Sequence, residues 1–304
     1  MTDQSNKSTA FALLGFTVLV WGAAPAFIRS FSLATGPADA LVIRTIAVAI
    51  PCLLLLPLFG SYAVARKDIP RLFLISIGMF GYFAGSIFGF AYVTSGVGGI
   101  IISTQSLLIA LLAGIFGMER ITIPTIIGLV VSFAGTFYLF SGDNSGAGTH
   151  ENLIKGGLMI FASGFFWSIY VIFSKTLIQS YGSFKIMALS IMLAALPSLA
   201  FASSGTWETA RNLDRNGIFA LIYLTLIGTL LTVSTWNYAT ARLQPTTVGA
   251  SLYLIPVLAI ASGALVLGES ITTTTLIAGI IILLGVALAQ FGPIFRRTRA
   301  QSST

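Results

Sequence analysis

The sequence predicts an all-α integral membrane protein with ten transmembrane helices, arranged as two inverted five-helix repeats. Three observations predict this fold. Ten apolar stretches are long enough to cross a bilayer, 56% of the residues are hydrophobic and only 8% charged, and rarer residues recur at a fixed offset. A soluble domain carries about 25% charged residues, so most of this surface is expected to face lipid. Long continuous apolar runs favour helices over the shorter alternating strands of a membrane barrel.

Each predicted span holds about 20 residues, which is enough to cross a hydrocarbon core about 30 Å thick. The spans are placed at residues 10–31, 38–58, 71–92, 96–117, 123–141, 154–177, 183–202, 216–238, 246–267 and 273–292. Thr122, before Ile123 and Pro124, is expected to cap the fifth span. The first span exceeds the apolar core of a signal peptide, so we expect it to be retained.

The distribution of basic residues predicts the orientation. An even number of spans places both termini on one side of the membrane. Eleven of the 16 Lys and Arg residues fall on that side, and five fall on the other. Because cytoplasmic loops carry the excess of positive charge, both termini are expected in the cytoplasm, with the chain in the inner (plasma) membrane.

A duplication is predicted from residue pairs at offsets of 146 and 150. These pairs are Trp21 with Trp167, Arg29 with Lys175, Pro51 with Pro197, Glu119 with Glu269, Thr122 with Thr272, and Gly135 with Gly285. We therefore divide the chain into a first repeat (1–142), a connecting loop (143–153) and a second repeat with a basic tail (154–304). Each repeat has an odd number of helices, so the second enters the membrane inverted. Such symmetry suits a carrier that works by alternating access.

The chain resembles the drug/metabolite transporter superfamily in its ten-helix EamA-type branch, and within that branch the aromatic amino acid exporters. The markers are Trp21 and Trp167 in the first helix of each half, and the segment Gly268-Glu269-Ser270-Ile271-Thr272 after the ninth helix. The matching first-half segment (117–122) carries one inserted residue. Ser106 stands where the family often has a proline, whereas Pro256 is present. The resemblance covers nearly the whole chain and implies an inner-membrane exporter of aromatic and other largely apolar amino acids.

Eight residues are candidates for contact with a substrate: Trp21, Tyr82, Gln105, Trp167, Tyr170, Trp236, Asn237 and Tyr253. Trp21 and Trp167 fall near mid-span rather than at the lipid interface where tryptophan is common. Their rings would stack on an apolar side chain or attract an ammonium group. Tyr253 lies three residues before Pro256, a residue type that frees a backbone carbonyl.

The polar candidates lie in two runs, 103–106 and 232–238. Unpaired polar groups are costly in hydrocarbon, so these side chains must face partners, water or a substrate. Gln105 offers a donor and an acceptor, which suits a zwitterion. Hydrogen bonding between helices is the alternative explanation for these runs.

Structural roles are expected for several other residues. The third span carries Gly78, Gly81, Gly85 and Gly89, a spacing that favours close helix packing. Arg29 and Lys175 are expected to reach the membrane interface, with contacts at a gate as the alternative. Glu119 and Glu269 lie at helix ends, where a turn is the simpler role.

Several function classes are disfavoured by what the spans contain. None of the nine acidic residues falls near mid-span, which argues against cation export and carboxylate-based proton coupling. Arg44 is the only basic residue that lies more than a few residues inside a span, which disfavours a phosphate substrate. A single His150 and a single Cys52 give little material for a metal site or an enzyme. The basic residues mark loops and do not suggest nucleic acid.

The residues alone predict a carrier for a small, uncharged or zwitterionic, partly apolar solute, and the amino acid comes from the resemblance. No cofactor and no obligate protein partner are expected beyond the lipid bilayer. A facilitative carrier or a channel for another small neutral metabolite or drug remains the alternative.

Overall fold

The computed structural model describes residues 2–118, 122–141, 149–240, 242–243, 251–252 and 254–301. Within these ranges the chain forms helices and turns and no strand. Eight helical segments are long and apolar enough to cross a membrane, and each overlaps one of the first eight predicted spans. Two shorter apolar helices follow, at Leu254–Leu267 and Thr273–Leu288.

The helices form the following series. In chain order they are α1 (Thr2–Thr35), α2 (Pro37–Leu55), α3 (Ile69–Phe90), α4 (Ser95–Ser103), α5 (Gln105–Ile115), α6 (Ile123–Ser141), α7 (His150–Tyr181), α8 (Ser183–Ser198), α9 (Thr206–Arg211), α10 (Arg215–Ile222), α11 (Thr232–Thr240), α12 (Leu254–Leu267) and α13 (Thr273–Gln301). A π-helical segment, Tyr223–Leu231, joins α10 to α11.

Two turns in the two halves of the chain have the same backbone geometry. Gly36 precedes α2 with φ 81° and ψ 143°, and Gly182 precedes α8 with φ 86° and ψ 152°. Glycine adopts a positive φ without the steric cost that a side chain would impose. Both glycines therefore allow a tight reversal between long helices, and they lie 146 residues apart.

Two helix caps also correspond. The hydroxyls of Thr122 and Thr125 lie 2.9 Å apart before α6, and those of Thr272 and Thr275 lie 2.8 Å apart before α13. In each case the first threonine accepts a hydrogen bond from the backbone N–H three residues on. The predicted cap at Thr122 is confirmed, because its side chain satisfies an amide that the helix leaves unpaired.

The fourth predicted span is found as one apolar helical segment, Ser95–Ile115, within which an irregular turn at Thr104 separates α4 from α5. The Thr104 hydroxyl donates to Ile101 O at 2.7 Å, and Ser103 donates to Ile100 O at 2.6 Å. Serine and threonine hydroxyls that bond back to the preceding turn compete with the helical ladder and bend it. The hydroxyls of Ser103, Thr104 and Ser106 thus bond to carbonyls of the preceding turn rather than to another helix.

The eighth predicted span is also irregular. Its middle is the π-helical segment, where the Thr229 hydroxyl donates to the Leu224 carbonyl at 2.8 Å, five residues back. Such irregular turns are tolerated in a membrane where neighbouring helices cover the backbone.

α3 packs closely against α7, and this crossing between the two halves uses the glycine stripe. A Cβ placed on Gly85 would lie 2.7 Å from Met159 O, and one on Gly78 would lie 2.8 Å from Phe166 O. Only glycine permits the two backbones to approach this closely. The predicted packing role of these glycines is confirmed.

α6 and α13 also pack closely, through a glycine on each helix. A Cβ on Gly135 would lie 2.8 Å from Ile282 Cγ1, and one on Gly285 would lie 2.4 Å from the Ser132 hydroxyl. Ser132 also donates to the Ile282 carbonyl at 3.1 Å.

The helices of the first half (2–141) pack mainly on helices of the second half (149–301). The main pairings are α3 with α7 and α8, α1 with α11 and α12, α2 with α8, α4 with α12, and α6 with α13. The two halves are therefore interlocked rather than placed side by side.

Substitution of Gly85 by Ala should destabilise the protein. The added Cβ would meet the Met159 carbonyl and force α3 from α7, and we expect a loss of about 1–3 kcal/mol. Gly15→Ala is the matched control, because no atom lies within 4 Å of its Cβ position. Thermal unfolding in detergent can be followed with a thiol-reactive dye, since the single cysteine, Cys52, is fully buried. Equal melting temperatures for the two variants would contradict this account of the crossing.

Candidate functional site

Three predicted site residues meet where α3 contacts α7. The ring centroids of Tyr82 and Trp167 are 4.9 Å apart with an interplanar angle of 46°, and those of Trp167 and Tyr170 are 5.3 Å apart and stacked. Tyr170 is buried, whereas Tyr82 and Trp167 are partly buried. We call these three residues the α3–α7 aromatic cluster. Their faces and edges offer a surface for an apolar or aromatic group.

A second pair of rings lies between α1 and α11. The Trp21 and Trp236 centroids are 5.0 Å apart, and the Trp21 indole N–H donates to the Thr232 hydroxyl at 3.0 Å. We call Trp21 and Trp236 the α1–α11 aromatic pair. Trp21 in the first half thus contacts the second half, just as Trp167 in the second half contacts Tyr82 in the first.

Gln105, at the start of α5, packs against α7 beside Gly164. Its backbone carbonyl accepts from the Ser168 hydroxyl on α7 at 3.4 Å. Its side-chain Oε1 is buried and has no hydrogen-bond partner. A buried amide oxygen without a donor is an acceptor available to a ligand.

The two remaining predicted site residues are not placed with these groups. The Asn237 amide donates to the Ser183 hydroxyl at the start of α8, at 2.5 Å. Tyr253 lies outside the described residues. The structure thus assembles Tyr82, Trp167 and Tyr170, and separately Trp21 with Trp236.

Arg44 is a residue that sequence reasoning did not assign to the site. Its side chain is buried, with 4% exposure, on α2. The guanidinium carbon lies 4.9 Å from the centre of the Phe83 ring, and the group is close enough to Tyr82 for an electrostatic interaction. An ionisable residue within a span is itself a functional signal, and that signal could have identified Arg44.

Arg29 forms an ion pair with Glu269, a contact that fits the alternative role at a gate, and its predicted reach to the membrane interface stays a prediction. Its Nε lies 2.9 Å from Glu269 Oε1, and both side chains are largely buried. Arg29 Nη1 also donates to the carbonyls of Phe90 and Val93 at the end of α3. Burial favours the pair because each charge finds partners that lipid cannot supply.

Glu269 extends this contact to α4. One carboxylate oxygen accepts from the Ser95 backbone N–H at 2.9 Å, and the other accepts from the Ser95 hydroxyl at 3.1 Å. A carboxylate is stabilised at a helix N-terminus by the free amides and the helix dipole. The Arg29–Glu269 ion pair therefore ties together α1, α3, α4 and the loop after α12. Glu269 thus bonds to α1 and α4 in addition to forming part of its own turn.

Two small clefts lie away from the α3–α7 aromatic cluster. One is lined by Glu269 and neighbours including Thr94 and Ile260, and the other lies near Thr104 and Phe161. Within the described ranges, no group of three or more His, Cys, Asp and Glu side chains could hold a metal ion.

Replacing Glu269 by Gln should destabilise the protein, because it removes the charge that pairs with Arg29. We expect a loss of about 1–3 kcal/mol, typical of a buried group deprived of its partner. Glu208→Gln, at an exposed position on α9, is the matched control. A melting temperature for the Glu269 variant equal to that of the control would show that the ion pair does not hold these helices together.

The model of the EamA-like transporter family matches the chain twice, at residues 9–141 and 154–291. A solved crystal structure is 21% identical and superposes with a TM-score of 0.58, over 96% of this chain and 99% of the other. That similarity concerns the fold.

Relatives of similar length support the same classification. A probable amino-acid metabolite efflux pump of Salmonella typhimurium is 25% identical, over 97% of this chain and 98% of its own length. A probable terminal-alkyne amino-acid exporter of Streptantibioticus cattleyicolor is 26% identical, again over 97% and 98%. An uncharacterised transporter of Archaeoglobus fulgidus is 25% identical over 90% of this chain and 96% of its own length.

Proposed function

The chain belongs to the EamA-like transporter family of the drug/metabolite transporter superfamily, and we propose that it exports amino acids, aromatic and other largely apolar ones, by alternating access. Membership makes it a multi-pass membrane transporter rather than an enzyme. The observation that carries the substrate proposal is the α3–α7 aromatic cluster, which lies between the halves. The unpaired buried oxygen of Gln105, on a helix that packs against α7, supports it. Relatives named as amino-acid exporters support the same class of substrate.

We propose the topology of ten spans in two inverted repeats, with both termini in the cytoplasm and the chain in the inner (plasma) membrane. The double family match supports the duplication. The duplication is also supported by the similar backbone angles at Gly36 and Gly182. The same hydrogen-bonding pattern at Thr122 and Thr272 supports it as well. An inverted repeat gives the bundle two related arrangements, each open to one side.

In this proposal the α3–α7 aromatic cluster and Trp21 hold the apolar side chain of the substrate. Gln105 Oε1 accepts from its ammonium group. The second half supplies three more of the proposed substrate contacts: Trp236, Asn237 and Tyr253. Because Trp21 and Trp167 each contact the opposite half, a movement between the halves would change both contacts together.

The Arg29–Glu269 ion pair is proposed as a gate on the external side. With the termini in the cytoplasm, the end of α1 and the loop after α12 face outward. The pair would hold these elements together in the structure described and separate when the protein opens outward. Its counterpart by the repeat is Lys175, which is exposed, with Glu119, which lies outside the described residues.

Trp167→Ala tests the site directly. Loss of the stacking surface should raise the half-saturating concentration of phenylalanine about tenfold, because a buried aromatic contact contributes about 0.5–1.5 kcal/mol beyond its area. Counterflow of labelled phenylalanine in proteoliposomes measures this value. Phe165→Ala is the control, since Phe165 is 40% exposed two residues away on α7. Unchanged saturation in folded Trp167→Ala would remove this residue from the site.

Counterflow also tests the transporter class. Vesicles preloaded with unlabelled phenylalanine should accumulate labelled phenylalanine transiently, and excess unlabelled substrate should block this. A channel would show neither saturation nor counterflow. Absence of accumulation with any amino acid, in vesicles that contain folded protein, would contradict the proposed substrate.

A further inference from the structure

We propose that Arg44 binds the α-carboxylate of the transported amino acid and makes the site selective for solutes that carry a carboxylate. This inference rests on the proposed function and adds to it the group that recognises the anionic end of the substrate.

The first step is that the guanidinium of Arg44 is buried and has N–H groups without a hydrogen-bond acceptor. Its Nε and Nη1 are buried and have no hydrogen-bond acceptor. Among the described residues, the buried side-chain atoms in this condition belong to Arg44 and Gln105. A buried guanidinium without an acceptor is strongly unfavourable, so its retention at this position calls for a partner that binds there.

The second step is that no carboxylate in the described ranges bonds to these donors of Arg44. Asp39 lies on the same helix, but its oxygens accept from the hydroxyls of Thr206 and Thr209 at 2.6 and 2.9 Å. Glu269 is held by Arg29 and Ser95. Arg44 rests instead on the Phe83 ring, which attracts a cation without satisfying its N–H groups.

The third step is that Arg44 borders the α3–α7 aromatic cluster. Phe83 is the neighbour of Tyr82 in the chain, and the two rings are 5.7 Å apart. Tyr82 in turn contacts Trp167 at 4.9 Å. A cation on one margin of the cluster and the Gln105 oxygen near α7 suit a solute with an apolar body and charged ends.

The chemistry of the guanidinium selects the ligand class. Its planar donors match a carboxylate, and its charge persists at any physiological pH. One guanidinium balances one carboxylate, whereas a phosphate dianion would need further basic groups that this site does not provide. A small carboxylate attached to an apolar group is therefore the expected ligand.

The test uses full-length protein in proteoliposomes and counterflow of labelled phenylalanine. Two competitors test the two charged groups of the substrate one at a time. Phenylalaninamide lacks the carboxylate, and 3-phenylpropionate lacks the ammonium group. The variants are Arg44→Gln and Arg44→Lys. Arg211→Gln is the control, because Arg211 is exposed on α9.

In the wild type, 3-phenylpropionate should compete more strongly than phenylalaninamide. Arg44→Gln should raise the half-saturating concentration of phenylalanine on the order of 10- to 100-fold, as expected for a lost hydrogen bond to a charged group. It should also abolish the preference for the carboxylate. Arg44→Lys should keep part of the affinity for phenylalanine and part of the preference for the carboxylate. An ammonium group keeps the positive charge but lacks the planar pair of N–H donors.

Other results would overturn the inference. Folded Arg44→Gln with wild-type saturation and the same preference would show that Arg44 does not bind the carboxylate, while the proposed function would stand. If Arg44→Gln does not fold, equal competition by the two analogues in the wild type would be the contradicting result. A wild-type protein that carries no amino acid would overturn the proposed function and this inference with it.

Discussion

The structure depends on one constraint: a polar group surrounded by hydrocarbon must find its partner inside the protein. Hydroxyls in the interrupted spans meet it by bonding to carbonyls of the preceding turn, as Thr104 does with Ile101. The Arg29–Glu269 ion pair meets it with paired charges and the amide of Ser95. Against this background, the buried unpaired atoms of Arg44 and Gln105 are the ones that we propose to bind the solute.

The close crossings explain how such a bundle holds together and how it would move. Lipid supplies no hydrophobic force between apolar helices, so backbone approach at Gly85 and Gly135 contributes dispersion contacts. Smooth glycine surfaces also permit one helix to shift along another. The contact of Trp167 with Tyr82 places part of the proposed site on the same α3–α7 crossing as Gly85, where relative movement would act on a bound solute directly.

Much of the fold follows from the sequence, because span length and hydrophobicity are strong local signals. The Thr122 cap and the packing of the glycine stripe were also predictable, because both depend on residues that lie close together in the sequence. The break at Thr104 was not, since a polar run inside an apolar span indicates hydrogen bonding without saying with which carbonyl. The partner of Arg29 required knowing which loop meets α1. The pairing of Tyr82 with Trp167 depended on a crossing between residues 85 positions apart. The position of Arg44 inside a span was visible in the sequence, but its lack of a hydrogen-bond acceptor was not.

The most direct measurement is of distances between spin labels across the two ends of the bundle, in a background without Cys52. One pair, Leu33 with Ile271, lies near the Arg29–Glu269 ion pair, and both positions are exposed. The other, Ile115 with Thr176, lies near the contact of Phe116 with Phe173, whose centroids are 5.0 Å apart. Alternating access predicts that saturating phenylalanine shifts the two distance distributions in opposite directions. Distributions that do not change, or that widen together, would contradict it.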